Sequence, residues 1–120
     1  MKTILAVDND VDFLQEFEMA LELYGYRVII NDDPSDAINQ ARQIKPDCIL
    51  FDLKMPKKHG FQFSEEVKQD STLRRIPTIA MTAFYNKDYD VCLDAFGISR
   101  CLKKPFSPDE AMKMIDSVLA

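Results

Sequence analysis

Asp8, Asn9 and Asp10 stand together near the amino terminus, Asp52 and Thr82 each follow an apolar run, and Lys103 and Lys104 follow another. Carboxylate and amide oxygens suit a hard cation such as Mg²⁺. A lone carboxylate can act as a nucleophile, and a hydroxyl with an ammonium can hold phosphoryl oxygens. These are the parts for Mg²⁺-assisted phosphoryl transfer. Closely set carboxylates repel one another, so the group also needs a cation to be tolerable. Taken singly, each residue has a plainer reading: Asp10 and Asp52 as helix N-caps, Lys104 as a solvated loop charge. The choice depends on whether the chain brings them to one place.

Five short apolar runs punctuate the sequence: TILAV (3–7), RVII (27–30), CILF (48–51), TIAM (78–81) and the weaker RCL (100–102). They are rich in β-branched residues and continuous rather than alternating, as strands covered on both faces must be. Helical periods separate them. Phe13, Phe17, Ala20, Leu21 and Tyr24 form one stripe, with Gly25 as the expected helix stop. Ala37, Ile38, Ala41 and Ile44 form a second, entered through Asp33 as N-cap and Pro34 at the first helical position. The helical signal is weaker over 61–73 and 86–96. Ser107 and Glu110 have capping-box spacing ahead of Ala111, Met112, Ile115 and Leu119.

The reading is an α/β fold of five βα units, a doubly wound three-layer sandwich with right-handed crossovers. Such sheets carry their sites at the carboxyl ends of the strands, where strand order reverses. Asp8, Asp52, Thr82 and Lys104 all fall on that edge.

The chain of 120 residues, 47% hydrophobic, is the size of one domain with a real core, and residues 1–120 are expected to form a single domain. Charge is mixed in sign, the net is −5 and no Lys/Arg block exceeds two residues, which argues against direct nucleic-acid binding. The amino terminus lacks a signal-peptide core and no apolar run reaches membrane-spanning length, so a cytoplasmic location without membrane association is expected. Cys48, Cys92 and Cys101 have no paired spacing and read as reduced structural thiols, Cys92 on the packing face of the fourth helix. His59, the single histidine, has no partner at metal-ligand spacing and reads as exposed.

ILAVDND, ILFDLKMPKKHG, PTIAMTA and CLKKPF, in this order and spacing, resemble the receiver domain of bacterial two-component response regulators over essentially the whole chain. The pattern Asp-x-x-Met-Pro-x-x-x-Gly is carried by Asp52, Met55, Pro56 and Gly60. The resemblance implies a flavodoxin-like fold with strand order 2-1-3-4-5 and Mg²⁺ as cofactor. It makes Asp52 the phosphoacceptor, with Asp8, Asn9, Asp52 and the Lys54 main-chain carbonyl around the metal and Asp10 as a further candidate ligand. Thr82 and Lys104 would hold the phosphoryl group, Ala83 would leave room for it, and Lys104–Pro105 would be cis. Its partners would be a sensor histidine kinase or a histidine phosphotransfer protein upstream and an output domain or protein downstream. A phosphorylation-dependent homodimer is among the outputs this allows. The chain would be a switch rather than an enzyme, catalysing only its own phosphorylation and dephosphorylation.

Two positions depart from the family pattern. Asn9 stands where a second acid is usual, so the metal site loses a formal charge, and Cys101 stands where an aromatic ring usually reads out phosphorylation. Lys54 and Phe84 occupy positions that in the family tune loss of the phosphoryl group to water. The departures keep a rival open, a pseudo-receiver that binds partners without being phosphorylated. A small phosphohydrolase with an Asp nucleophile is disfavoured, because no second acid follows two residues after Asp52. No output segment follows Leu119, which fits either a free-standing regulator or a receiver from a longer protein.

Overall fold

The computed structural model describes residues 1–120. Strands β1 (Thr3–Val7), β2 (Arg27–Asn31), β3 (Cys48–Asp52), β4 (Thr78–Thr82) and β5 (Cys101–Lys103) alternate with helices α1 (Val11–Glu22), α2 (Pro34–Ile44), α3 (Gly60–Gln69), α4 (Asp88–Ala95) and α5 (Pro108–Leu119). All strand pairs are parallel and the order is β2-β1-β3-β4-β5. The flavodoxin-like order 2-1-3-4-5 is therefore observed.

The continuous apolar strands are explained by two separate cores. Ile4, Ala6, Leu50 and Met81 face one way, onto Leu14, Phe17 and Leu21 of α1 and Ala111 and Ile115 of α5. Leu5, Val7, Ile49 and Phe51 face the other way, onto Ala37 and Ala41 of α2, Phe63 and Val67 of α3, and Leu93 of α4. Alternate side chains thus serve opposite layers, and neither face of β1 or β3 can be polar.

Helix starts follow their sequence signals. Asp33 accepts from the Ser35 N–H with Pro34 opening α2, and Ser107 and Glu110 form a reciprocal capping box on α5. Helix ends were less readable. α1 stops at Glu22 rather than running to Gly25, and Tyr24 lies outside it, exposed. Tyr24, Gly25 and Tyr26 donate back to Leu21 and Glu22 in a turn where only Gly25, at φ +90°, takes a left-handed conformation. Leu14, not Phe13, is the fully buried residue of the first turn. α2 ends on a left-handed residue that is not glycine, Lys45 at φ 47°. α4 has no side-chain cap and buries only Leu93. Cys92 is exposed, which corrects its expected place on the packing face, because Leu93 takes the inward position.

Candidate functional site

Parallel register sets Val7 beside Phe51, Asp52 beside Met81 and Thr82 beside Lys103, so the residues ending β1, β3, β4 and β5 share one edge. Asp52 and Thr82 are the last residues of their strands, and Asp8 immediately follows β1. Only four polar or charged residues of the protein are buried, and three of them meet here: Asp8 at 1% exposure, Asp52 at 7% and Thr82 at 1%. A buried ionisable group costs stability unless it is paired, so this placement is itself evidence of a site.

One lysine holds the acids. Lys104 Nζ lies 2.5 Å from Asp8 Oδ2 and 3.7 Å from Asp52 Oδ1, and 4.0 Å above the Phe13 ring. The Lys104 N–H donates to the Thr82 carbonyl at 2.8 Å, and the following Lys104–Pro105 bond is cis, as expected. Lys103 goes the other way, its Nζ 3.8 Å over the Tyr85 ring. Burial, and then the neighbouring Asp8 charge, push the Asp52 carboxyl up to about 6, while Lys104 and the Lys54 N–H pull in the opposite direction.

The loop after β3 is shaped by Gly60. A Cβ there would sit 2.5 Å from both the Asp52 carbonyl oxygen and Leu53 Cα, and the Gly60 N–H donates to the Leu53 carbonyl at 2.9 Å. Only glycine allows α3 to start against the backbone that carries Asp52. Met55 of the motif is buried against the α2–α3 core. His59 is exposed as expected and also serves as N-cap of α3, stacked on Phe61 at 5.3 Å.

Asp10 Oδ1 accepts from the Phe13 N–H at 3.1 Å, so the cap reading describes this residue. The Asp10 N–H in turn donates to Asp8 Oδ1 at 3.0 Å and fixes that carboxylate. Asn9 is exposed on the rim between them. No three acidic, histidine or cysteine side chains converge in a metal-holding group. Two neighbouring carboxylates, an amide oxygen and the Lys54 carbonyl still form an all-oxygen donor set, and this fits Mg²⁺. Thr82 Oγ1 accepts from the Phe84 N–H at 3.0 Å, and Lys54 Nζ lies 4.3 Å over the Phe84 ring.

Two features of the surroundings were not legible in the sequence. Phe106 packs edge-on against Phe13 and Phe17 at 5.9 and 6.2 Å, and these rings with Lys104 and Ala83 line a cavity of about 560 Å³ beside the acids. Tyr85 donates its hydroxyl to Asp90 at 2.6 Å in front of half-buried Cys101, whose thiol burial pushes up to about 11. In both cases the partners come from different elements, and no local spacing announces them.

The model of the response regulator receiver domain family matches residues 4–116. The chain belongs to the response regulator receiver family. It is 32% identical over 120 residues to the protein PilH of Pseudomonas aeruginosa, covering 100% of this chain and 99% of that one. It is 30% identical over 118 residues to the polar-differentiation response regulator DivK of Brucella anthropi, covering 98% and 96%. Among solved structures it resembles the chemotaxis protein CheY4 of Vibrio cholerae, with a TM-score of 0.93 at 29% identity over 99% of both chains. It also resembles the receiver domain of the P. aeruginosa sensor histidine kinase PA1611, solved with a magnesium ion in its active-site cleft, with a TM-score of 0.88 at 30% identity over 98% and 97%. Receivers are signalling modules of two-component systems. No helix of this receiver is long and apolar enough to cross a membrane.

Proposed function

We propose that this receiver, acting as one domain over residues 1–120, accepts a phosphoryl group on Asp52 and signals by the change of surface that follows. The observation that carries the reading is the buried Asp8–Asp52 pair held under Lys104 at the reversal of strand order. With a carboxyl near 6, Asp52 is mostly ionised at neutral pH yet poorly solvated, which favours attack by its oxygen. An Asp52 oxygen forms the new P–O bond while the donor's P–N bond breaks, and the electron pair leaves with the imidazole of a phosphohistidine. Lys104 holds charge on the transferred oxygens, Thr82 donates its hydroxyl proton to one of them while its oxygen accepts from the Phe84 N–H, and Ala83 leaves them room. Mg²⁺, held by Asp8, Asn9, Asp52 and the Lys54 carbonyl, would supply the charge that lets two acids and a phosphoryl group share the site. The donor would be a sensor histidine kinase or a histidine phosphotransfer protein in the cytoplasm, and the recipient an output domain or protein.

Incubation with acetyl phosphate or phosphoramidate and Mg²⁺ should add one phosphoryl mass to the intact protein, and Asp52→Asn should abolish it. Labelling that survives this substitution sinks the assignment. A second reading, the pseudo-receiver, is favoured by one observation: Asn9 leaves the site with two converging carboxylates rather than three acids. Absence of both phosphorylation and saturable Mg²⁺ binding would select it.

A further inference from the structure

The opposite edge of the sheet holds a second polar concavity. A cavity of about 380 Å³ opens where β4 begins and β5 is entered, lined by Arg74, Arg75, Arg100, Ser99, Ser117 and Pro77. It lies about 13 Å from the phosphoacceptor edge, the length of β4 at roughly 3.3 Å per residue. Three of the five arginines in the chain meet here, in a protein whose net charge is −5. No aspartate or glutamate lines the cavity, and the protein's six ion pairs include none of the three. Arg42, by contrast, is taken up by Asp70 at 2.6 Å.

The only side-chain partners of the trio are hydroxyls at long range. Arg100 Nε donates to Ser117 Oγ at 3.4 Å, and a terminal nitrogen of Arg100 donates to Ser99 Oγ at 3.4 Å. These contacts orient Arg100 across the mouth without neutralising it. The carboxyl ends of α4 and α5 lie nearby, with Gly97 just past α4 and Ser117–Val118 in the last turn of α5, and each helix end carries about half a negative charge. Two such ends offset about one of the three positive charges, so the concavity stays cationic.

We infer that this concavity is an anion-binding site for a small phosphorylated molecule, held by Arg74, Arg75 and Arg100. Guanidinium groups match phosphate oxygens in paired hydrogen bonds, and Ser99 and Ser117 add hydroxyl donors. The volume is that of a small-ligand pocket and exceeds what phosphate alone fills. Ile76, Pro77 and Val118 offer apolar wall for the rest of the molecule. A long nucleic acid is disfavoured because the overall negative charge repels it away from this one patch. This inference is independent of the reading of Asp52.

NMR titration of the ¹⁵N-labelled receiver at constant ionic strength, with inorganic phosphate, ribose 5-phosphate, AMP and GMP in separate arms, tests it. At least one ester should saturate the amides of Thr78, Gly97, Ser99 and Arg100, and should bind more tightly than inorganic phosphate. Arg75→Gln and Arg100→Gln should each weaken it at least about tenfold, the effect of losing a charged hydrogen-bond pair. Both side chains reach solvent, so the variants should fold, which their amide spectra would show. Shifts spread over basic residues elsewhere, equal response to sulfate, unchanged affinity in both variants, or no saturation by any ester would overturn the assignment. So would affinity that rises with the length of an oligonucleotide, which would point to nucleic acid instead.

Discussion

Asp52 and Asn9 carry the sharpest consequences at the residue scale. The folded Asp52 carboxyl titrates near 6, above its ordinary value of 3.8. Between these values the unfolded chain has released its proton and the folded protein has kept it, so stability falls as pH rises through this window and is level above it. Asp52→Asn removes the buried charge and should stabilise the metal-free protein at pH 8 by about 1–2 kcal/mol, discounted for the lost contact with Lys104. The gain should shrink as pH falls from 6 toward 4; urea unfolding of both proteins at pH 8 and pH 4.5 measures it. Equal gain at both pH values would assign the effect to packing rather than to ionisation. Asn9 brings a dipole where a carboxylate would bring a charge. A unit charge about 4 Å away is worth on the order of 4 kcal/mol at an effective dielectric of 20, much of it cancelled by repulsion among the acids without metal. Asn9→Asp should therefore bind Mg²⁺ roughly tenfold more tightly and lose metal-free stability. Calorimetric titration of the two proteins decides it, and equal affinities would mean that position 9 does not meet the metal.

At the scale of elements, the β3–α3 connection explains why a glycine stands eight residues after Asp52. Gly60→Ala would drive a Cβ into the backbone of Asp52 and Leu53, groups that cannot yield as a flexible side chain would. Destabilisation of about 2–4 kcal/mol is expected, with displaced amide resonances for Asp52 and Leu53. A cost below about 0.5 kcal/mol would show that the loop can move aside. The same scale shows what sequence patterns convey. β1, β3 and β4 were legible because both faces of each are buried, leaving unbroken apolar runs. β5 was weak because it is a three-residue edge strand with one buried residue, Leu102, between half-buried Cys101 and exposed Lys103. α4 was weak because it buries one side chain and lacks a cap. The end of α1 was misplaced because the turn after it uses Gly25 two residues beyond the cap, where a left-handed residue is needed for the chain to return to β2.

For the whole molecule, the strand-end rule converted scattered polar residues into one site, and the fold follows it for Asp8, Asp52, Thr82 and Lys104. Contacts between different elements stayed hidden: Phe106 on the Phe13 and Phe17 rings, and Tyr85 with Asp90 and Lys103, depend on packing that no spacing encodes. Tyr85 and Cys101 both line a cavity of about 540 Å³, and position 101 is where the family resemblance would place an aromatic ring. On the proposed phosphorylation of Asp52, Cys101 would fill space vacated by Thr82 only in part, so the rearrangement should be small. Cys101→Tyr should strengthen phosphorylation-dependent partner binding or dimerisation, read by analytical ultracentrifugation with and without phosphodonor. An unchanged response would mean that position 101 does not couple the site to the surface.

The most direct test of phosphoryl acceptance is chemical trapping. After brief reaction with phosphoramidate and Mg²⁺, borohydride reduces an acyl phosphate to an alcohol and converts the modified aspartate into homoserine, which peptide mass spectrometry locates. Homoserine at position 52 alone, absent when Mg²⁺ is chelated, is the predicted result. Trapping at Asp8 or Asp10 instead, or no trapping with a donor that modifies a control receiver, would contradict it.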